Sequence, residues 1–367
     1  MNHTARISGA EKSLLEMLSA LQLSPYDPIV GLPPAEEGLA AILKQRGVQV
    51  VHFKMRRIRK TCNPFRLIGY LLNIITTVFE LRTFIRNESI ACVHSNSNTA
   101  HLYGGPAAKL AGIPAVWHCR DLTNLGIAGR FMYNLSSRVV AISSCVQQHV
   151  QKYAGDTSKI CTIYNCIDSD MFAPSAQTAS RTNSDPFLVL MIAQLVPWKN
   201  HRLFLDAAAS IARNANKIRF DIVGDDIFDD QQPYVKELRK LIAEKNLSEL
   251  VTFTGYRSDV PALLASADLL VHPAVQEPFG RVILEAMAAG LPVIALNSCG
   301  PAEIIRNGVD GILVEPDVEL LAAAILNAMR NRSQMHEMAR SASIRVRQIF
   351  NLAVFAKKMT AVYEEIL

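Results

Sequence analysis

The second half of the chain alternates short apolar runs with stretches of helical period. The apolar runs at 187–192, 218–223, 251–254, 267–272 and 291–295 read as strands buried on both faces. Between them, 203–212 and 234–245 repeat apolar residues at helical spacing and read as helices. The first half keeps the same rhythm more faintly, with strands expected at 48–53, 90–94, 115–118, 139–142 and 161–164. Strands that alternate with helices imply parallel sheets covered on both faces, an α/β fold. Residues 173–186 are polar and small and read as a linker. At 367 residues the chain exceeds the length at which one core keeps growing, so two doubly wound domains are expected, 1–172 and 187–348. A last helix at 349–367 is expected to pack toward the first domain.

Composition narrows the function classes. No uninterrupted apolar run reaches the length that spans a bilayer, and the nearest, 67–81, is broken by Asn73, Thr76 and Thr77. The opening Met1-Asn2-His3-Thr4-Ala5-Arg6 leads into a charged helix rather than an apolar leader. Seven scattered cysteines with no C-x-x-C argue for reduced thiols and against a zinc site, so a cytoplasmic enzyme is the simplest class. Net charge is only +5, and the basic run lacks interleaved aromatics or a recognised module, which argues against nucleic acid.

The chemistry concentrates between Glu277 and Ile294. An apolar strand ends at His272-Pro273, a loop carries Glu277, and a Phe279-Gly280 turn opens a helix that bears Glu285. Gly290 closes that helix before the next buried strand. The N–H groups at the helix start, around Phe279, Gly280, Arg281 and Val282, make a seat for phosphate. Carboxylates beside that seat accept hydrogen bonds from sugar and ribose hydroxyls, the requirement of a nucleotide-sugar pocket.

Glu277-Pro278-Phe279-Gly280-Arg281-Val282-Ile283-Leu284-Glu285-Ala286-Met287-Ala288-Ala289-Gly290-Leu291-Pro292-Val293-Ile294 closely resembles the C-terminal signature of glycosyltransferase family 4. These are retaining enzymes of the GT-B fold, in which two Rossmann-like domains face across a cleft, and the likeness covers the second half of the chain. It implies Glu277 beside the transferred sugar and Glu285 beside the nucleotide ribose. Ala193-Gln194-Leu195-Val196-Pro197-Trp198-Lys199 is similar to the family's diphosphate-binding segment, which implies donor contacts from Gln194 and Lys199. Gln194 stands where the family has arginine; Arg281 either supplies the missing cation or is a solvated first-turn residue.

In the first half, His118-Cys119-Arg120-Asp121 looks like the family's histidine segment, which implies His118 near the transferred sugar. His94 ends another expected strand on the acceptor side, where either histidine has an ordinary structural reading too. Ser8-Gly9-Ala10-Glu11 resembles the opening of the family's first helix, which places Gly9 on the acceptor side. The family precedes it with an apolar strand; here only 1–7 precede it, so that strand is expected to be truncated. Ser143 reads as an N-cap. Asp168-Ser169-Asp170 matches the family's non-metal segment, and the acidic loop 224–230 has no fixed ligand spacing, so no metal and no cofactor is expected.

Lys54-Met55-Arg56-Arg57-Ile58-Arg59-Lys60 places five cations in seven residues ahead of an apolar stretch at 65–84. It reads either as a dock for an anionic membrane surface or as a solvated loop before a core helix. The resemblance as a whole implies a metal-independent hexosyltransferase. Its partners would be a nucleoside diphosphate sugar and a carbohydrate or lipid-linked acceptor, in cell-envelope polysaccharide or glycolipid synthesis at the inner face of the membrane. A sugar epimerase of the same fold and a catalytically degenerate subunit are the rivals.

Overall fold

The computed structural model describes residues 1–22, 24–35, 37–57, 63–173, 185–213, 217–227 and 230–367. Most of the expected linker, the end of the basic run at 58–60 and part of the acidic loop lie outside them. The chain forms two compact units, residues 1–166 with 352–367, and 167–351. Residues 167–172, assigned to the first domain from sequence, thus fold with the second.

The first unit contains α1 (Gly9–Leu21), β1 (Val30–Leu32), α2 (Leu39–Gln45), β2 (Val50–His52), α3 (Pro64–Asn87), β3 (Val93–Ser95), α4 (Asn98–Ala111), β4 (Ala115–Cys119), α5 (Gly126–Leu135), β5 (Arg138–Ala141), α6 (Ser144–Gln151) and β6 (Ile160–Thr162). Strands β3 to β6 form a parallel sheet in sequence order, and β1 and β2 a separate parallel pair. No strand forms over residues 1–7. Instead Met1 and Asn2 lie between the two sheets: the Met1 N–H donates to the His94 carbonyl at 2.7 Å and the Asn2 N–H to that of Gly31 at 2.9 Å. Ser8 and Glu11 form a capping box at α1, and the Ser143 hydroxyl caps α6 by accepting from the Val146 N–H at 3.1 Å.

Helix α3 corrects the expectation that the run at 67–81 is too short to span a bilayer. It is 24 residues long and meets the length and composition needed to cross a bilayer. Yet Thr77, Val78, Leu81 and Ile85 are buried, and the C-terminal half packs on α4. The polar interruptions at Asn73, Thr76 and Thr77 sit inside a continuous helix because helix bonding needs no apolar side chain.

The second unit begins with a short turn at Ser169–Phe172 and continues as β7 (Phe187–Ile192), α7 (His201–Ala212), β8 (Ile218–Val223), α8 (Gln232–Glu244), β9 (Val251–Gly255), α9 (Val260–Ser266), β10 (Leu269–His272), α10 (Arg281–Ala288), β11 (Val293–Leu296), α11 (Cys299–Ile304), β12 (Ile312–Val314), α12 (Val318–Arg330) and α13 (Arg332–Ile349). All six strands are parallel, in the order β12-β11-β10-β7-β8-β9. The chain therefore starts at the centre and runs outward twice, once on each side. Its switch point falls between β7 and β10, where the loops diverge and leave a crevice at the strand C-termini. Phe204, Phe220, Leu190 and Met191 fill the core beneath. The last helix, α14 (Leu352–Ile366), belongs to the first unit and packs on α1.

Candidate functional site

The second unit brings its chemistry to the switch point. After β7, Ala193-Gln194-Leu195 leads into a one-turn helix at Pro197–Lys199, and Asn200 takes a left-handed φ of 58° before α7. After β10, Gln276 (φ 53°) and Gly280 (φ 99°) fold the loop that bears Glu277. The two loops are tied where the Val275 N–H donates to the Trp198 carbonyl at 2.9 Å. As a result the Lys199 ammonium donates to Glu277 Oε2 at 2.5 Å, and the His272 Nε2–H donates to the same oxygen at 2.9 Å. Among the described residues Glu277 Oε1 has no partner.

Electrostatics fix the protonation states. Glu277 is only 7% exposed, and burial alone would raise its carboxyl. The Lys199 charge and the His272 hydrogen bond outweigh that and hold it down at about 2, so it is a carboxylate throughout the physiological range. Burial pushes His272 below its ordinary value, against the pull of Glu277, and His272 is a neutral donor. His201, buried beside them, is pushed down to about 3 by burial and by Lys199 and His272. The Lys199 ammonium also lies 4.1 Å from the centre of the Trp198 ring, a cation–π contact that limits its rotamers.

Gly280 has no side chain with which to cap α10. The helix start therefore presents its dipole and amides to whatever anion occupies the crevice. Glu285, one turn further, is 4% exposed and accepts from Arg281 Nε at 2.8 Å through Oε1. Arg281 thus points along its own helix at Glu285. Gln194 is half-buried at the end of β7, and no described residue hydrogen-bonds its amide.

Sequence reading missed two residues here. His272 ends an apolar strand, and its placement against Glu277 depends on a loop fold that no spacing reveals. Gly300, in α11, donates its N–H to the Glu277 carbonyl at 3.0 Å. A Cβ at that position would lie 2.3 Å from Phe279 Cα, so only glycine lets α11 close on the Glu277 loop. Nothing in Ser298-Cys299-Gly300-Pro301 signals that contact.

The first unit gathers His94 from the middle of β3 and His118 from near the end of β4. His94 Nε2 and His118 Nδ1 are 3.1 Å apart, and the Tyr363 hydroxyl of α14 donates to His94 Nδ1 at 2.8 Å. Burial pushes both imidazoles well below their ordinary values, helped by the Arg120 charge, so both are neutral. The bonding then assigns the tautomers: Tyr363 O–H to His94, His94 Nε2–H to His118 Nδ1, and a proton on His118 Nε2. That Nε2 is buried with no partner among the described residues. Arg120 is held by Asn96 Oδ1 at 2.8 Å and Asn165 Oδ1 at 2.6 Å. Gly9 starts α1, which Asn96 joins to the end of β3 by donating to the Ala10 carbonyl at 3.4 Å. A Cβ on Gly9 would meet nothing within 4 Å, so the protein itself does not demand glycine there.

Asp168 accepts from the Asp170 N–H at 3.2 Å and caps its own turn, while Arg347 binds Asp170 at 2.9 Å. Among the described residues no three His, Cys, Asp or Glu side chains converge as a metal site would require.

Residues 174–345 match the family model described as glycosyl transferases group 1, and residues 7–171 match glycosyltransferase family 4. A curated relative is the Escherichia coli UDP-Gal:alpha-D-GlcNAc-diphosphoundecaprenol alpha-1,3-galactosyltransferase, 24% identical over 98% of this chain and 97% of its own length. Another is the GDP-mannose-dependent alpha-(1-6)-phosphatidylinositol monomannoside mannosyltransferase of Mycobacterium tuberculosis, 29% identical over 71% of this chain and 72% of its length. Among solved structures, Anabaena Alr3699/HepE in complex with UDP-glucose is 27% identical, with a TM-score of 0.83 over 100% of both chains.

Proposed function

The chain belongs to glycosyltransferase family 4 and has its GT-B fold of two Rossmann-like domains, and from that premise we propose that it is a retaining hexosyltransferase. In this reading it moves a hexose from a nucleoside diphosphate sugar to a hydroxyl of a carbohydrate or lipid-linked acceptor, with no metal ion. The observation that carries the reading is the ionised Glu277, held by Lys199 and His272 on one oxygen with the other oxygen unpartnered.

A buried carboxylate with one oxygen to spare accepts a hydrogen bond from a sugar hydroxyl and fixes the ring. Lys199, the uncapped start of α10 over Phe279, Gly280, Arg281 and Val282, and the Gln194 amide surround a diphosphate with donors and positive potential. Glu285 Oε2 is left to accept from ribose. As the bond from the anomeric carbon to the phosphate oxygen breaks, charge grows on the leaving diphosphate, and fixed charge there is worth most in the transition state. The acceptor oxygen bonds the same face of the anomeric carbon, and its proton passes to the departing phosphate oxygen. No separate base is required. On the acceptor side, the His118 Nε2–H is a neutral donor suited to a sugar hydroxyl, with His94 holding its tautomer, and Gly9 at the start of α1 adds no side chain of its own.

The two relatives' names mention a lipid diphosphate and a phosphatidylinositol mannoside, which supports an acceptor anchored in a membrane. The test is transfer from UDP-glucose, UDP-galactose and GDP-mannose to a lipid extract, with EDTA present and the product's anomeric configuration read by NMR. The donor's α configuration is expected in the product. A β product removes retention. Donor hydrolysis or isomerisation without an acceptor favours the epimerase, and binding with no turnover of any donor favours the degenerate subunit.

A further inference from the structure

Helix α14 closes the chain, and its Tyr363 reaches into the first unit beside His94, 269 positions away in sequence. The Tyr363 and His94 rings meet edge to face with centroids 6.0 Å apart, and the His94 and His118 rings do the same at 5.2 Å. Tyr26 packs edge-on against Tyr363 at 5.1 Å. Tyr363 and His118 are both buried, and the polar atoms between them stand in single file. The Tyr363 hydroxyl lies 2.8 Å from His94 Nδ1, and His94 Nε2 lies 3.1 Å from His118 Nδ1.

Such a file has two possible directions, and the groups at its two ends choose one. At the α14 end, the Tyr363 hydroxyl has no other partner among the described residues. If it accepted from His94, its own proton would be buried without an acceptor, a loss that buried hydroxyls avoid. At the other end, a guanidinium nitrogen of Arg120 lies 3.4 Å from His118 Nδ1. Arginine is always charged and only donates, so that Nδ1 must offer a lone pair. Both ends therefore demand the same order, with Tyr363 donating to His94 and His94 to His118. The Arg120 contact is the longest of the three, and the other guanidinium nitrogens already serve Asn96 and Asn165. The direction thus depends on Tyr363.

We propose that Tyr363 is a positioning residue of the transfer reaction, which acts through His94 to hold His118 in the one tautomer that offers an Nε2–H to a substrate oxygen. A fixed N–H recognises a lone pair, which a sugar hydroxyl has and an ammonium lacks. The atom received there is therefore a hydroxyl oxygen and not the charged amine of an amino sugar. Without the Tyr363 hydroxyl, His94 Nδ1 is left buried and unpaired, and each imidazole is free to carry its proton on either nitrogen. The donor is then no longer set in advance of binding. The role in transfer rests on the transferase reading, whereas the tautomer does not, so the two fail separately.

Nitrogen-15 NMR of histidine-labelled protein reads the tautomer directly, with the His118 signals identified by their loss in His118→Gln. In wild type, His118 is expected to be neutral with its proton on Nε2. In Tyr363→Phe it is expected as a mixture of both tautomers. Turnover of that variant should fall about tenfold, the scale of one hydrogen bond, with UDP affinity unchanged. Tyr26→Phe removes a hydroxyl from the ring packed on Tyr363 but no link of the file, and it should match wild type in every readout. His94→Leu cuts the file at its middle and should reproduce the Tyr363→Phe result at His118, which keeps the test open if Tyr363→Phe folds poorly. A wild-type His118 protonated on Nδ1, or a single unchanged tautomer in Tyr363→Phe, overturns the proposal. A changed tautomer with undiminished turnover overturns it too. A wild type with the expected tautomer and no sugar transfer counts against the transferase reading, while the tautomer comparison still decides what Tyr363 does.

Discussion

In the second unit the strand ends meet in fixed charge, Lys199 against Glu277 with His272 on the same oxygen; in the first they meet in two neutral imidazoles lined up behind Tyr363. Burial is comparable, since Glu277 and His118 are both nearly inaccessible. What differs is compensation. Glu277 has an opposite charge within bonding distance and stays ionised, whereas His94 and His118 have Arg120 beside them and lose their protons. A diphosphate leaving group needs the first environment. A hydroxyl acceptor, which must be oriented without being charged, needs the second.

The largest effect that would break this contrast is loss of the Glu277 charge. Glu277→Gln keeps the shape and removes the carboxylate, and turnover should fall by about two to three orders of magnitude, the usual scale for one preorganised electrostatic group. Nucleoside diphosphate affinity should change far less. Equal turnover in the variant would return Glu277 to a structural role.

Next comes Lys199→Gln. The folded value of Glu277 lies below its unfolded one, so its ionisation stabilises the protein above the unfolded value, and that contribution is lost as pH falls toward about 2. Without Lys199 the burial term is left less opposed. The variant's Glu277 should then titrate at higher pH, closer to its unfolded value, and the loss of thermal stability as pH falls below about 4.5 should be smaller than in wild type. Parallel melting curves from pH 3 to 7 decide this, and superimposable pH profiles would contradict the pairing.

Smaller again, Glu285→Gln should weaken nucleoside diphosphate binding by about 1.5–3 kcal/mol, the range for a hydrogen bond to a charged group. Gly300→Ala should lower the melting temperature and donor affinity together, by about 1–3 kcal/mol of overpacking. An unchanged variant would mean that α11 does not pin the Glu277 loop. The smallest effect expected is none: with His94 and His118 already neutral, turnover from pH 6 to 8 should show no limb assignable to either histidine. A limb that disappears in His118→Gln would show that His118 titrates.

The sequence carried unit 2 well because its strands are buried on both faces and read as unbroken apolar runs; 187–192 and 218–223 match β7 and β8 residue for residue. Strands β1 and β12, of three residues each, were not anticipated. Glu277, Glu285 and Lys199 were visible through their motifs. His272 and Gly300 were not, since each acts through a contact set by loop geometry. The gap between β1 and β3 was foreseen from the polar opening residues. The backbone links by which Met1 and Asn2 cross it were not.

Titration of UDP into the EDTA-treated protein tests the central claim most directly, that fixed protein charge at the β7–β10 switch point binds the donor diphosphate unaided. The account predicts an affinity unchanged by chelation and weakened at least tenfold, about 1.4 kcal/mol, in Lys199→Gln. Binding lost in EDTA and restored by Mg²⁺, or equal affinity in the variant, would contradict it.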